Sequence, residues 1–309
     1  MAFVPLFVAY NTSLAVMGSH IKDHVVRAMT VDGAFRVIAI SMKETLEDVR
    51  KRQKLEGDAV VRMGELLAGT VLLRETIQPS RRVQVIYKDN NGGRLVADSK
   101  PDGSNRGLDN PGSKDDVTLD GDALLQVNYT LNNQDLHQGI VAFPADLTMS
   151  QALMRYMQES EQIVSVLDVR VSPESSAIGQ VALGYVVQLT PESERHHVEE
   201  MTELLEKYDG IERAIAKGEV SPQNMISEIL DGRDFSFLAD SELKFGCSCS
   251  KERMELGLKS LSRQDLGELL EDGKPIECQC DACGETFQFS TDAIAEMLVQ
   301  KTPSDGLSN

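Results

Sequence analysis

The positions of the cysteines constrain this 309-residue chain more than any other feature of its sequence. All five lie between positions 247 and 283, and no cysteine precedes them. Cys247 and Cys249 form a Cys-x-Cys pair, Cys280 and Cys283 form a Cys-x-x-Cys pair, and Cys278 is an additional thiol. Packing alone does not produce such clustering, so the sequence predicts a site built from thiol groups.

Two short-spaced cysteine pairs are typical of structural zinc sites, in which four thiolates surround the ion as a tetrahedron. Gly284 follows the second pair and allows a turn that points backbone N–H groups at the sulfur atoms. Four thiolates leave no open position for a reactive water, and the histidines lie far upstream. We therefore expect one Zn²⁺ per chain, bound by Cys247, Cys249, Cys280 and Cys283, and no catalytic residues.

The fifth thiol, Cys278, creates a second Cys-x-Cys spacing with Cys280. It could compete as a metal ligand, or it could attack a sulfenic acid formed on a neighbouring cysteine. A bystander thiol is the expectation, and the other two roles stay open at this point.

The C-terminal segment that carries these cysteines, 241–309, is too short to bury a large apolar core. Two short helices are predicted in it, one capped by Ser262 and the other by Ser290 or Thr291. Thiolate-bound zinc supplies roughly 10–16 kcal/mol of apparent folding free energy, so we expect this module to unfold without its metal. Metal-bound thiolates are also the form that oxidants attack, which gives the site the chemistry of a reversible switch.

Charge and hydropathy exclude several classes of partner. The net charge of -18 is spread along the chain, whereas a nucleic-acid surface needs clustered basic residues. The short basic stretch Arg50, Lys51, Arg52 and Lys54 is interpreted as a solvated helix face. No apolar run approaches the roughly 18 residues of a membrane span. We expect no nucleic-acid partner, no membrane partner and a reducing, cytoplasmic location.

Residues 1–20 are interpreted as an extension that is disordered or arises from an upstream start site. Their first sixteen residues are apolar, but they lack a positively charged leader and an evident cleavage site. A targeting or anchoring role is the alternative.

Residues 21–190 are predicted to form one α+β domain with mostly antiparallel strands and packed helices. A hairpin that turns at Asp32-Gly33 starts it, and Asp58–Ile77 is apolar on most sides, as expected of a buried helix. The nearly continuous apolar run Val181–Leu189 predicts a strand covered on both faces.

A second hairpin is predicted over Arg81–Lys100, and the Gly- and Asp-rich stretch 101–112 after it is predicted to be a loop. That stretch lacks the spacing of a phosphate-binding loop, so no nucleotide site is expected. Motifs of serine hydrolases and zinc proteases are also absent from the sequence.

Residues 191–240 are predicted to form a helical linker between the core domain and the cysteine module. Apolar residues fall on one helix face and charged residues fill the other. Such a helix needs a partner surface to be stable, so the linker is expected to be metastable. His196 and His197 are expected on its solvated surface.

Four stretches of the sequence resemble a known family over residues 21–300. They are VVRAMTVDGAFRV (25–37), GYVVQLTP (184–191), FGCSCSKERM (245–254) and CDACGETFQF (280–289). The family is that of the redox-regulated heat-shock chaperones called thirty-three-kilodalton chaperonins, or HslO. The Cys-x-Cys pair, the long gap and the terminal Cys-x-x-Cys pair are its most specific feature.

The resemblance implies that the four cysteines hold zinc in a reduced, inactive state. Oxidation would form the disulfides Cys247–Cys249 and Cys280–Cys283, release zinc, and unfold the module with the adjoining linker. The oxidised chain would then form a homodimer and hold unfolded client proteins without ATP, before ATP-driven chaperones receive them. Cys278 and the extension lie outside the family pattern.

The apolar stripe of the linker is the candidate client-binding surface under this hypothesis. Its residues are Val198, Met201, Leu204, Leu205, Tyr208 and Ile211. The alternative is that these side chains are only core for the upstream domain. For the whole chain, the alternative function is a constitutive zinc-ribbon module that mediates interactions.

Overall fold

The computed structural model describes residues 21–90, 92–110, 122–130, 135–190, 193, 196–208, 210–271 and 273–300. The predicted extension, 1–20, lies outside the described residues, as does Asn91 of the second predicted hairpin turn.

The elements follow the chain in three groups. The first comprises β1 (His24–Thr30), β2 (Phe35–Met42), α1 (Glu44–Gln53), α2 (Asp58–Ile77), β3 (Val83–Lys88), β4 (Arg94–Ser99), β5 (Ser104–Asn110), β6 (Asp122–Thr130), β7 (Leu136–Pro144), α3 (Met149–Glu159), β8 (Ser165–Val171) and β9 (Ala182–Leu189). The second comprises α4 (His196–Lys207), α5 (Gly210–Lys217), α6 (Pro222–Ile229), β10 (Phe235–Glu242) and β11 (Lys244–Phe245). The third comprises α7 (Lys251–Ser260), α8 (Arg263–Glu271), β12 (Ile276–Gln279), β13 (Thr286–Phe289) and α9 (Thr291–Gln300).

The first predicted hairpin, β1–β2, is confirmed. Gly33 has a φ of 74°, a left-handed conformation that costs glycine little, and the Asp32 carboxylate accepts a hydrogen bond from the N–H of Ala34 at 3.0 Å. The hairpin lies inside a five-stranded antiparallel sheet of order β10-β1-β2-β9-β8. Strand β9 is buried on both faces over most of its length, as its apolar sequence predicts.

The second sheet has six strands in the order β11-β5-β4-β3-β6-β7, and only its β11–β5 pair is parallel. Helix α2 lies between the two sheets and contacts β8 and β9 on one side and β3 and β4 on the other. An added Cβ at Gly64 would collide with Val171, and one at Gly69 with Leu153, so both glycines permit close packing. The predicted α+β class with mostly antiparallel sheets is confirmed.

Helices α4, α5 and α6 cover the outer face of the five-stranded sheet. Their apolar side chains, among them Ile211 and Ile226, form a second core with Phe35 and Val187 of the sheet. The five-stranded sheet is therefore the partner surface that the amphipathic stripe was expected to need for stability.

Two segments differ from the elements expected for them. The stretch 104–110, expected within a loop, is strand β5 because it pairs with β4 along its whole length. The end of the expected helical linker is strand β10, which pairs with β1. Both segments have little or no continuous apolar pattern, so their long-range partners determine their conformation.

The cysteine-bearing end of the chain has a small core of its own. Its buried members are Leu258, Leu266, Phe289, Ile294 and Met297. The predicted caps form: the Ser262 hydroxyl accepts from the N–H of Asp265 at 3.0 Å, and the Ser290 hydroxyl accepts from the N–H of Ala293 at 3.3 Å. Of the two predicted caps for the last helix, Ser290 therefore has this role.

Candidate metal centre

The sulfur atoms of Cys247, Cys249, Cys280 and Cys283 all lie within 4.8 Å of one another. Two of these distances join residues of opposite pairs, 3.7 Å between Cys247 and Cys280 and 3.3 Å between Cys249 and Cys283. Sulfur atoms bound to one zinc ion at about 2.3 Å in a tetrahedron would lie roughly 3.8 Å apart. The donor set therefore fits a soft divalent ion, and no histidine lies in the group.

The first pair is positioned by backbone pairing with the core. Strand β11 runs parallel to β5, and the N–H of Gly246 donates to the Asn105 carbonyl at 2.9 Å. An added Cβ at Gly246 would collide with Ser104. The glycine before Cys247 thus allows this segment to lie directly on the core sheet.

The second pair lies in the turn between β12 and β13, which are paired antiparallel. The N–H of Gly284 donates to the Cys280 carbonyl at 2.8 Å, and the N–H of Cys280 donates to the Glu285 carbonyl at 2.8 Å. Gly284 has a φ of 76°, in agreement with the predicted glycine turn.

The four thiols differ in their electrostatic surroundings. Burial opposes ionisation of Cys247, but hydrogen bonds from the N–H of Cys249 and from Arg106 outweigh it and lower the pKa of Cys247 to about 7. The Arg106 guanidinium lies 3.5 Å from that sulfur. Burial and hydrogen bonding to Cys283 raise the pKa of Cys249, and burial raises the pKa of Cys283. In the reduced, metal-free cluster, Cys247 is therefore more easily ionised than Cys249 or Cys283.

Cys278 lies apart from the four-sulfur group. It is on β12 opposite Phe287, and its side chain packs against the small core of the C-terminal end. Burial raises its pKa, so its thiol is less readily ionised. This placement agrees with a bystander role.

Sequence reasoning missed a second cluster of side chains of the types that can bind metals. The ligand atoms of His196, His197 and Glu200 lie within 4.8 Å of one another at the start of α4. However, Arg233 binds the Glu200 carboxylate at 2.5 Å, and the first turn of a helix disfavours cations. The spacing of these residues could have revealed the cluster in the sequence, because Glu200 lies four positions after His196 and three after His197.

The candidate client-binding residues are mostly covered. Met201, Leu204, Tyr208 and Ile211 are buried against the five-stranded sheet, with Leu205 partly buried beside them. Val198 is 42% exposed. In this conformation the stripe is a packed core, so its side chains could contact a client protein only if the helices left the sheet.

A sequence model of the family described as Hsp33 protein matches residues 23–290. The chain belongs to the Hsp33 family. Members of the family are chaperones, and the match includes all four cysteines of the candidate metal centre.

Relatives of the chain are named 33 kDa chaperonins. It is 25% identical to the 33 kDa chaperonin of Bacillus pumilus over 294 residues, covering 91% of this chain and 99% of that protein. It is 27% identical to the 33 kDa chaperonin of Symbiobacterium thermophilum, covering 89% of this chain and 97% of that protein.

A solved structure has a similar fold. The crystal structure of the 33 kDa chaperonin of Thermotoga maritima aligns with a TM-score of 0.75 at 23% sequence identity, over 90% of this chain and 98% of that chain. Among the described residues, no helix combines the length and hydropathy needed to cross a bilayer.

Proposed function

We propose that the chain is a redox-regulated, ATP-independent holdase whose four cysteines bind one zinc ion in the reduced, inactive state. The observation that carries this proposal is the convergence of four thiols in a segment with a very small apolar core. Thiolate-bound zinc contributes more folding free energy than such a core does. Loss of the metal would therefore unfold the segment.

The disulfides are proposed to join Cys247 with Cys249 and Cys280 with Cys283. This pairing rests on the family resemblance, because sulfur atoms of opposite pairs also lie close together, 3.7 Å between Cys247 and Cys280 and 3.3 Å between Cys249 and Cys283. Each disulfide forms when two thiolates lose two electrons to an oxidant such as hydrogen peroxide, which takes up two protons and becomes water. With all four thiolates converted to disulfides, these residues would no longer hold a zinc ion. Reduction by a dithiol would reverse both bonds.

The unfolding signal is proposed to reach the client-binding stripe through β10. Helices α4 to α6 pack mainly on the five-stranded sheet, and β10 connects them to the first cysteine pair. The Asp240 carboxylate on β10 accepts from Gln223 of α6 at 2.9 Å and contacts His24 of β1 at 2.9 Å. Withdrawal of β10 from β1 would break this polar link between α6 and β1.

The exposed stripe would then hold unfolded client proteins. Its large apolar side chains suit a partner that exposes unfolded apolar segments, and the overall negative charge keeps the loaded complex in solution. A homodimer of the oxidised chain, transfer of clients to ATP-driven chaperones and a cytoplasmic location complete the proposal. No enzymatic step is part of it.

The test is aggregation of heat-denatured citrate synthase in the presence of reduced or peroxide-treated protein. We expect suppression only after peroxide treatment at mild heat, with release of one zinc per chain detected by a colorimetric chelator. Dithiothreitol should restore the inactive form. Equal suppression by the reduced and oxidised proteins, with zinc retained, would instead identify a constitutive zinc-ribbon module.

A further inference from the structure

The turn that carries the second cysteine pair is held by two side chains from the end of α1. Gln53 donates from Nε2 to the carbonyl of Asp281 at 2.7 Å and to that of Ala282 at 3.1 Å. Arg52 donates to the carbonyl of Cys283 at 3.0 Å. Three successive carbonyls of one turn are thus bound by adjacent residues of the core.

Each of these two side chains also binds a second part of the molecule. Gln53 accepts at Oε1 from the N–H of Asp109 at 3.0 Å, so its amide joins β5 to the turn. The Arg52 guanidinium lies over the Phe245 ring, 4.4 Å from its centre, and Phe245 precedes Cys247 by two residues. Arg52 therefore contacts the segments of both cysteine pairs.

Apolar packing contributes little beside these contacts. A cavity of about 270 Å³ separates the six-stranded sheet from the turn. It is lined by residues of the sheet, among them Asp98 and Arg106, and by residues of the cysteine module, among them Cys280 and Asp281. Because packing across this interface is incomplete, docking depends strongly on the hydrogen bonds from Arg52 and Gln53.

The turn presents its carbonyls to the core only in its present shape. That shape is fixed by the left-handed conformation of Gly284 and by the bond from its N–H to the Cys280 carbonyl. Ligation of Cys280 and Cys283 by one ion would hold the two ends of the turn together. Metal binding and docking on α1 therefore favour the same conformation.

We propose that Arg52 and Gln53 are positioning residues that form a docking surface for the metal-loaded turn. Docking slows metal loss, and metal loss frees the docking surface, because coupling between two binding equilibria is reciprocal. This inference rests on the proposed zinc site but not on the holdase activity. Under this inference, two residues of the core that lie far from the cysteines in sequence determine how readily the proposed switch loses its metal.

The sharpest variant is Gln53→Glu. Glutamate keeps an oxygen that accepts from Asp109, but it replaces the donor that faces two carbonyls with a second acceptor. We expect zinc to leave the reduced, zinc-loaded protein about 10-fold faster in the presence of excess chelator, since two hydrogen bonds are lost and oxygen atoms face each other. Arg52→Ala should accelerate release by a smaller factor.

The matched control is Lys51→Ala. Lys51 is on the same helical turn and carries the same charge as Arg52, but its ammonium group contacts Glu47, 3.2 Å away, and not the cysteine turn. It should release zinc at the wild-type rate. Amide hydrogen exchange supplies a second readout: Gln53→Glu should lose protection at residues 280–285 and keep it in β1 and β2.

A wild-type release rate and wild-type exchange in Gln53→Glu would overturn the docking surface. Equal acceleration by Lys51→Ala would also overturn it, because the effect would then be one of charge alone. Faster zinc release in Gln53→Glu would support the docking surface. If the wild type also showed no oxidation-dependent suppression of aggregation, the holdase proposal alone would be contradicted.

Discussion

The core and the C-terminal module achieve order by different means. Helix α2 is buried between two sheets, and a second apolar core fills the space between α4 to α6 and the five-stranded sheet. The described part of the module buries only Leu258, Leu266, Phe289, Ile294 and Met297 as its core. One region is stabilised by apolar burial and the other by the proposed metal, so under the proposed function an oxidant would unfold the second without unfolding the first.

The largest effect is expected from Cys280→Ser. Cys280 is the buried member of the four-thiol group, and a serine hydroxyl is a poor zinc ligand. We expect zinc content to fall from one ion per chain to nearly none and the module to become protease-sensitive, while the core stays resistant. Mass spectrometry of limited-proteolysis fragments measures both regions. A protease-resistant module in the zinc-free variant would show that the metal does not stabilise this region.

The converse change is Leu66→Ala in α2. Leu66 is fully buried, so its truncation should lower the free energy of unfolding of the core by about 2–5 kcal/mol. Zinc stoichiometry should not change. Urea denaturation measures the loss, and Leu256→Ala on the module, where leucine is 65% exposed, is the control with a near-zero effect. Zinc loss in Leu66→Ala would show that the two regions do not fold independently.

A pH dependence of intermediate size is expected from Glu65. Burial and the nearby Asp168 raise its pKa to about 7, against an opposing effect of Arg170. Because this folded-state pKa is above the unfolded value, the stability from the protonated form is complete below about pH 4.5 and is lost as pH rises through 7.

The variant Glu65→Gln removes this ionisation. Its stability relative to wild type should therefore increase between pH 5 and pH 8 by on the order of 1–3 kcal/mol. Urea denaturation at both pH values measures the difference, with the exposed Glu56→Gln as control. If the stability difference between Glu65→Gln and wild type were the same at both pH values, the ionisation of Glu65 would not contribute to the pH dependence of stability.

The smallest effect is expected from Cys278→Ser. The residue packs on the small module core but lies outside the four-sulfur group, so stability should fall by about 1 kcal/mol or less. One zinc should stay bound, and peroxide should still release it. Loss of zinc from this variant would make Cys278 a ligand and change the proposed donor set.

Sequence patterns predicted the elements that depend on local chemistry. The Asp32-Gly33 hairpin, the buried helix α2 and the cap at Ser262 follow from turn chemistry, periodicity and capping. Strands β5 and β10 could not be predicted in this way, because their conformation comes from pairing with β4 and β1.

In the candidate site, too, features set by local sequence could be predicted and features set by long-range contacts could not. The spacing of Cys247, Cys249, Cys280 and Cys283 predicted their grouping, which depends on only two local motifs. The contacts of Arg52 and Gln53 with the turn of the second cysteine pair were missed because they join residues more than two hundred positions apart. Arg52 is exposed, as the predicted solvated helix face requires, and it also contacts both cysteine segments.

The order of strands in the five-stranded sheet determines how far released helices can travel. Helices α4 to α6 are connected to β9 at one end and to β10 at the other, and β1 and β2 separate these strands. With neighbouring strands about 4.8 Å apart, the two anchor points are roughly 14 Å from each other. Once β10 has paired with β1 again after reduction, the helices form a closed loop above their own sheet, so their return is a short intramolecular search with a small entropic cost.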